Sequence, residues 1–558
     1  MKICMIESRR FYLYAAVVII FFSILSYCGG LNGDFVFDDL DLIKNDSFYT
    51  TVTNPLKCWT RSFWKASKTQ GLYRPVTVFT YWLDTRIFAH FAADASAGWA
   101  PGFRIVNLFI HIIVSVLLFR VGLLLGFGRI SSFAAALLFA VHPLHTEAVT
   151  PAFGRGELLC TLFLLAGLLF HLKSRGRLAF SATAALFFML SFMAKEHGAV
   201  FIVVCGVIDL FLFFPADREL PVKTQISDFL RPRIKQYSIY CAALFCVFIL
   251  RHHFLGSWLP AQNYFDPFID NNIALSPWYI RIISAVKIQG MALFKLIFPI
   301  TLSCDYSYSQ ILPVSSVFNP AALITLLLFA GTALFSAVKF PRFRFHIYML
   351  FLLYIISILP AGNFIVISGT VFAERLSYLP SVWFALYAGF IIPRIARFVP
   401  GGALPLLFLI VFAFSARTVI RTFDWKSNYS LWKSALKTSP ESIKVLNNYA
   451  VNVAEPDGDL TSAIGAYTKA VKILPRYSTA YANRGVCFAR LGMEKEAEKD
   501  FLTALKYNKY QKTAGYNLGV IYARRGDIPR ARGLWLYFHN RYPEDKLINN
   551  ALKKSATP

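Results

Sequence analysis

Two adjacent carboxylates, Asp38 and Asp39, stand in an aromatic-rich turn, Asp34-Phe35-Val36-Phe37-Asp38-Asp39-Leu40-Asp41. The turn follows closely on an apolar run, Phe11 to Cys28, long enough to cross a bilayer at about 1.5 Å rise per residue. A carboxylate at that mouth can take a proton or hold a cation, and it is costly to keep there without a task. Other polar motifs also sit at the ends of apolar runs. They are His142-Pro143-Leu144-His145-Thr146-Glu147, Gly154-Arg155-Gly156-Glu157, Lys195-Glu196-His197, Cys304-Asp305-Tyr306-Ser307 and Ala373-Glu374-Arg375-Leu376-Ser377-Tyr378. One motif alone reads as an interfacial anchor, or as an internal ion pair such as Lys195 with Glu196. Several on one membrane face read as a polar site.

The elements that must position these residues are membrane helices. The chain has 558 residues, 56% hydrophobic and 16% aromatic, with a mean hydropathy of +0.51. That composition excludes a soluble protein and leaves room for about ten or more spans. The net charge of +26 comes from 57 Lys+Arg against 31 Asp+Glu. In a membrane protein this excess marks cytoplasmic loops, so no nucleic-acid partner is expected. The nine cysteines are scattered without a CxxC pair, so neither a zinc site nor a disulfide framework is indicated. The first span has basic flanks (Lys2, Arg9, Arg10) and no small-residue cleavage site, which reads as a retained signal anchor.

After the first external loop, 30–103, apolar runs follow near 104–126, 130–147, 155–172, 178–194, 199–214, 237–254, 319–338, 345–360, 376–393 and 402–418. With the first run they make about eleven transmembrane helices and an all-α bundle. Tyr279–Thr301, inside an external loop 255–318, carries Arg281, Lys287 and Lys295 along one stripe and reads as an interfacial helix. Eleven spans put Lys2–Arg10, Arg120–Arg129, Lys173–Arg177, Arg218–Lys235, Lys339–Arg344 and Arg394–Arg397 in the cytoplasm, and all are basic. The polar motifs then share the opposite face.

At Arg421 the composition changes and a repeat begins. Asn448, Asn483 and Asn517 are spaced by 35 and 34 residues; Ala463, Ala497 and Ala531 by 34, as are Tyr467, Phe501 and Trp535. Ala450, Gly485 and Gly519 share the phase, and Pro475 closes the first unit. This is the tetratricopeptide (TPR) pattern of helix pairs, small residues meeting aromatics between them. The sequence therefore divides into a membrane domain, 1–420, and a solenoid, 421–558, with about three repeats over 440–545. The second part holds 23 Lys+Arg against 12 Asp+Glu, which favours acidic ligands or an anionic membrane surface.

A resemblance covers nearly the whole chain. It is carried by Phe35-Val36-Phe37-Asp38-Asp39, Tyr73-Arg74-Pro75-Val76-Thr77-Val78, Val106-Asn107 with His111, and His142 through Val149. It continues through Gly154-Arg155-Gly156-Glu157-Leu158-Leu159, Lys195-Glu196-His197-Gly198, Ala373 through Pro380, and Asp424-Trp425. In content and order these motifs resemble the transmembrane and tetratricopeptide-repeat (TMTC) proteins, GT-C membrane glycosyltransferases related to protein O-mannosyltransferases. The family usually carries more repeats, and often Asp where Glu157 stands.

The resemblance implies a GT-C-like fold. It also implies transfer of mannose or another hexose from a polyprenyl-phosphate donor to a hydroxyl, of Ser or Thr in a protein or of a glycan. Inverting transfer needs a carboxylate to take the acceptor's proton. The family pattern favours Asp38 as that base, with Asp39 as helper or metal ligand. Arg74, Arg155, Lys195 and Arg375 are the candidates for the donor phosphate. His142, His145, Glu147, Glu157, Glu196, Asp305, Glu374 and Tyr378 would support them. The resemblance fixes no cofactor; a divalent cation is the one candidate, with Asp39, His142 and Glu147 as its candidate ligands. Expected partners are the lipid-linked sugar, an acceptor polypeptide or glycan on the TPR groove, and membrane lipids. The expected place is a bacterial inner membrane with a periplasmic site, the alternative being the endoplasmic reticulum with a luminal one. The rival reading is a non-catalytic membrane-anchored TPR scaffold.

Overall fold

The computed structural model describes residues 2–555 except 65–70, 92–98, Arg175, 214–230, Pro232, 260–265 and 396–401. Arg175 and most of the expected basic loops Arg218–Lys235 and Arg394–Arg397 therefore lie outside the described residues. Regular structure among the described residues is entirely helical. The chain forms two compact units, one of residues 1–304 with 313–431, the other of 305–312 with 432–558.

In the first unit each expected apolar run contains a helix, although the helix in the 130–147 run stops at Ala140. These helices are α1 (Lys2–Tyr27), α3 (Ala100–Leu124), α4 (Arg129–Ala140), α5 (Arg155–Ser174), α6 (Leu178–Ala194) and α7 (Phe201–Phe213). Then come α8 (Ile234–Leu255), α10 (Pro320–Lys339), α11 (Arg344–Ile358), α12 (Tyr378–Ile395) and α13 (Ala403–Asp424). Between α1 and α3 lies α2 (Pro75–Phe88); between α8 and α10 lies α9 (Trp278–Ile297). Among the described residues, nine helices are long and apolar enough to cross a membrane, while α4 and α6 are apolar but shorter. The chain is a multi-pass membrane protein.

Small residues set the bundle's closest approaches. A Cβ on Gly389 of α12 would collide with the backbone of Ala135 and Ser131 in α4. Lipid gives no hydrophobic drive between apolar helices, so such dispersion contacts hold them together. Helix α9 departs from the expected single stripe of charge. Lys295 is 5% exposed and donates to the Thr301 carbonyl. It shares a face with the buried Ser284, Ile288 and Ala292, whereas Arg281 and Lys287 are half-buried.

The second unit begins later than the composition change. Helix α13 runs through Arg421 to Asp424, and the division falls between Leu431 and Trp432. Its pairs are α14 (Ile443–Tyr449, continued by a π turn Ala450–Ala454) with α15 (Leu460–Ile473), α16 (Ser478–Arg490) with α17 (Glu494–Tyr507), and α18 (Lys512–Arg524) with α19 (Ile528–Arg541). Helix α20 (Lys546–Lys554) follows them. The repeated small and aromatic positions meet, as a Cβ on Gly485 would stand 2.7 Å from the Phe501 ring. Gly519 lies equally tight under Trp535. Gly519→Ala is therefore expected to destabilise this unit by about 1–3 kcal/mol through overpacking. Limited proteolysis should cut it faster within 510–555 while leaving the membrane helices intact.

Residues 305–312 also belong to this unit, although the sequence places them in a loop between membrane helices. Ile443 N–H donates to the Tyr308 carbonyl at 2.8 Å and Ser309 N–H to the Glu441 carbonyl at 3.0 Å.

Candidate functional site

The acidic turn is fastened from several sides. Phe37 has a left-handed backbone, φ 53°, uncommon for a bulky residue. Its N–H donates to Asn428 Oδ1 at 3.0 Å, and its ring meets Phe153 edge-on at 5.7 Å. Arg104, 2% exposed, donates to the carbonyls of Gly30 (2.7 Å), Trp425 (2.8 Å) and Asp34. Asp34 N–H in turn donates to the Lys426 carbonyl at 2.9 Å.

This framework separates the two carboxylates. Asp39 is 1% exposed and accepts backbone N–H bonds from Val36 (3.2 Å), Ala152 (3.3 Å) and Phe153 (2.7 Å). Burial pushes its carboxyl up to about 6, against the pull of Arg104 and the three N–H groups. Asp38 instead keeps 28% of its side chain exposed, with Oδ2 3.8 Å from Arg375 Nη2. The close turn at Phe153 depends on Gly154, because a Cβ there would overlap the Ala148 carbonyl.

Arg375 lies between Asp38 and Glu147. The Glu147 carboxylate is buried and accepts from Arg375 N–H at 3.0 Å and from its guanidinium. The guanidinium rides over the Phe153 ring at 4.9 Å. A second pair forms where Lys195 leaves α6 in extended conformation. Its ammonium bonds Glu157 in the first turn of α5, and His197 Nδ1 stands 3.3 Å from the same carboxylate. In a third pair, Arg74 at the start of α2 holds Glu196 in a fork, Nε to Oε2 3.0 Å and Nη2 to Oε2 2.7 Å. The charges of Arg74 and Arg375 both act on Lys195. Asp38, Arg74, Glu147, Glu157, Lys195, Glu196 and Arg375 therefore form one charged cluster.

The other expected site residues stand elsewhere. Arg155 is fully buried and bonded to Asn107 Oδ1 (2.7 Å), the Phe103 carbonyl (2.8 Å) and the Asp84 carboxylate. Its guanidinium knits α2, α3 and α5 together rather than facing the open. His142 Nε2 donates to the Leu296 carbonyl at 2.8 Å while Nδ1 accepts from Leu144 N–H. His145 bonds the Phe139 carbonyl and Ser381, and Tyr378 bonds His111 at 2.7 Å. His142 and His145 line an apolar cavity of about 390 Å³ between α4, α9, α12 and α13. Glu374 is buried and accepts from Ser303 N–H at 2.7 Å. Asp305 lies in the other unit, accepting from Ser442 Oγ at 2.7 Å.

The candidate cation ligands fit poorly. Asp39 already accepts three backbone N–H bonds, and both His142 nitrogens have protein partners. Among the described residues, no group of three or more His, Cys, Asp or Glu is placed to hold a metal ion. Sequence reasoning missed Arg104, Asp84 and Asn428 as framework residues. Asp84, a lone acid in the apolar-aromatic stretch Tyr81-Trp82-Leu83-Asp84, was the available signal.

The molecule is thus a helical multi-pass membrane protein with a carboxylate–arginine cluster at helix ends and a separate TPR-type solenoid. Over most of its length it is TMTC-like. It is 31% identical to Protein O-mannosyl-transferase F38B6.6 of Caenorhabditis elegans over 475 residues, 83% of this chain and 63% of the relative. It is 28% identical to human Protein O-mannosyl-transferase TMTC3, over 86% of this chain and 53% of that protein. Human TMTC1 gives 29%, over 84% and 56%. The matched part thus spans between about half and just under two thirds of these relatives. No family model matches the chain. Among solved structures, an Archaeoglobus fulgidus oligosaccharyltransferase complex with Zn and sulfate aligns at TM-score 0.37 and 12% identity, over 80% of this chain and 57% of that one.

Proposed function

We propose that this chain is an inverting membrane glycosyltransferase, moving a hexose from a polyprenyl-phosphate donor to a hydroxyl acceptor. The observation that carries the reading is the split between adjacent carboxylates: Asp39 is locked by three backbone N–H groups, while Asp38 reaches the open beside Arg375. The relatives' names, protein O-mannosyl-transferases, support the reaction class. In the proposed step Asp38 takes the proton of the acceptor hydroxyl. The acceptor oxygen bonds the anomeric carbon as its bond to the phosphate oxygen breaks, and the electron pair leaves with the phosphate. Arg375, held by Glu147, and then Arg74 and Lys195 neutralise that leaving charge. Arg155 is left out, because its guanidinium is fully buried among protein partners.

The basic loops favour a non-cytoplasmic site: the periplasm of a bacterial inner membrane or the lumen of the endoplasmic reticulum. The solenoid supplies a docking surface for a polypeptide acceptor. The test is purified full-length protein given radiolabelled polyprenyl-phosphate hexoses with a polypeptide or a small hydroxyl acceptor. Label should pass from one donor to an acceptor hydroxyl. Absence of both transfer and donor hydrolysis across the panel would leave the scaffold reading in place. Topology is checked separately, in a background without native cysteines. Cysteine in the 266–277 segment is expected to react with an impermeant thiol reagent from outside, and cysteine at Arg344 to resist it.

A further inference from the structure

Helix α8 carries a charge that the cluster described above does not use. Only 22% of its apolar stretch is buried, so most of α8 faces away from the bundle. Arg251, in its last turns, points inward and is 6% exposed. Its Nε and Nη2 are buried and have no hydrogen-bond partner among the described residues. One turn on, the Phe254 ring stacks on Tyr73 at 6.4 Å, next in the chain to Arg74. The charge of Glu196 acts on Arg251, yet that carboxylate is already forked to Arg74.

A guanidinium buried without a partner is unfavourable, because its lost hydration is not replaced. Charges kept at membrane depth mark binding sites more often than architecture. Arginine's planar fork matches the oxygens of a phosphate. A ligand reaching the inner side of a largely lipid-facing helix arrives from the bilayer.

We propose that Arg251 binds the phosphate of a membrane-embedded polyprenyl phosphate, at the edge of the Arg74–Lys195–Glu196 cluster. This rests on the donor class proposed above and adds a phosphate contact on α8. Arg251 is the residue that meets the lipid's headgroup as it leaves the bilayer, and Arg74 and Lys195 receive the same group further in.

The experiment uses the full chain in phosphatidylcholine nanodiscs, with thermal unfolding followed while undecaprenyl monophosphate is titrated in. Wild type should be stabilised by the lipid. Arg251→Gln should unfold at the same or a higher temperature than wild type without ligand, since it removes an unpaired buried charge. It should also need at least about tenfold more lipid for the same shift, the loss expected for a charge-assisted contact. Arg251→Lys keeps the charge but not the fork; it should leave the ligand-free transition in place and weaken the lipid response in part. A lower ligand-free transition with an unchanged lipid response in both variants would mean a structural arginine and overturn the proposal. Equal stabilisation of wild type by inorganic phosphate or by phosphatidylglycerol would also overturn it. The readout needs no sugar transfer. Arg251-dependent lipid binding without transfer to any acceptor would therefore sink the transferase reading alone.

Discussion

Asp38→Asn is expected to leave the protein folded in the membrane and to lower sugar transfer by about 10²–10⁴, the usual contribution of a positioned general base. The substitution keeps the shape of a side chain that is 28% exposed beside Arg375. Asp39→Asn should behave in the opposite way. Its carboxylate accepts three backbone N–H bonds, and an amide nitrogen there would face donors. The cost is on the order of 1–3 kcal/mol in stability, with activity falling only as far as folded protein is lost. Turnover per folded molecule and the unfolding midpoint, measured on both variants, separate the roles. Wild-type turnover in Asp38→Asn would remove it from the reaction.

Arg155→Met should show the largest loss of stability. The arginine is fully buried and pairs with Asp84, which is 4% exposed at its side chain. Removing one partner leaves the other charge buried alone, at a cost of about 3–5 kcal/mol. Adding Asp84→Asn to the same protein should recover part of that loss. Denaturant unfolding of the single and double variants provides the measurement. If Arg155→Met kept its stability and only raised KM for the lipid-linked sugar, Arg155 would return to the phosphate-binding set that the sequence motif suggests.

What could be read from the chain depended on whether the signal was local. Helices were legible because each apolar run is continuous. The solenoid was legible because Asn448, Asn483 and Asn517 recur in step with small and aromatic residues. Arg375 with Glu147, and Lys195 with Glu157, were legible as site residues but not as pairs, because their partners lie far along the chain. Burial was not legible at all. Arg155 and Arg375 are the same residue type in similar motifs, yet one is sealed between α2, α3 and α5 and the other is 20% exposed at its side chain. Nor can composition around Asp305 reveal its hydrogen bond to Ser442.

That last contact bears on the order in which the chain is made. Asp305 and Ser442 are 137 residues apart in sequence, so the ribosome releases the first long before its partner exists. The first helix pair of the solenoid is then completed by a strip synthesised earlier, ahead of four membrane helices, α10 to α13, that must insert in between. During that interval residues 305–312 have no Glu441, Ser442 or Ile443 to bond. A fragment starting at Trp432 would lack the strip for good, and a chain stopped before it would leave the strip waiting.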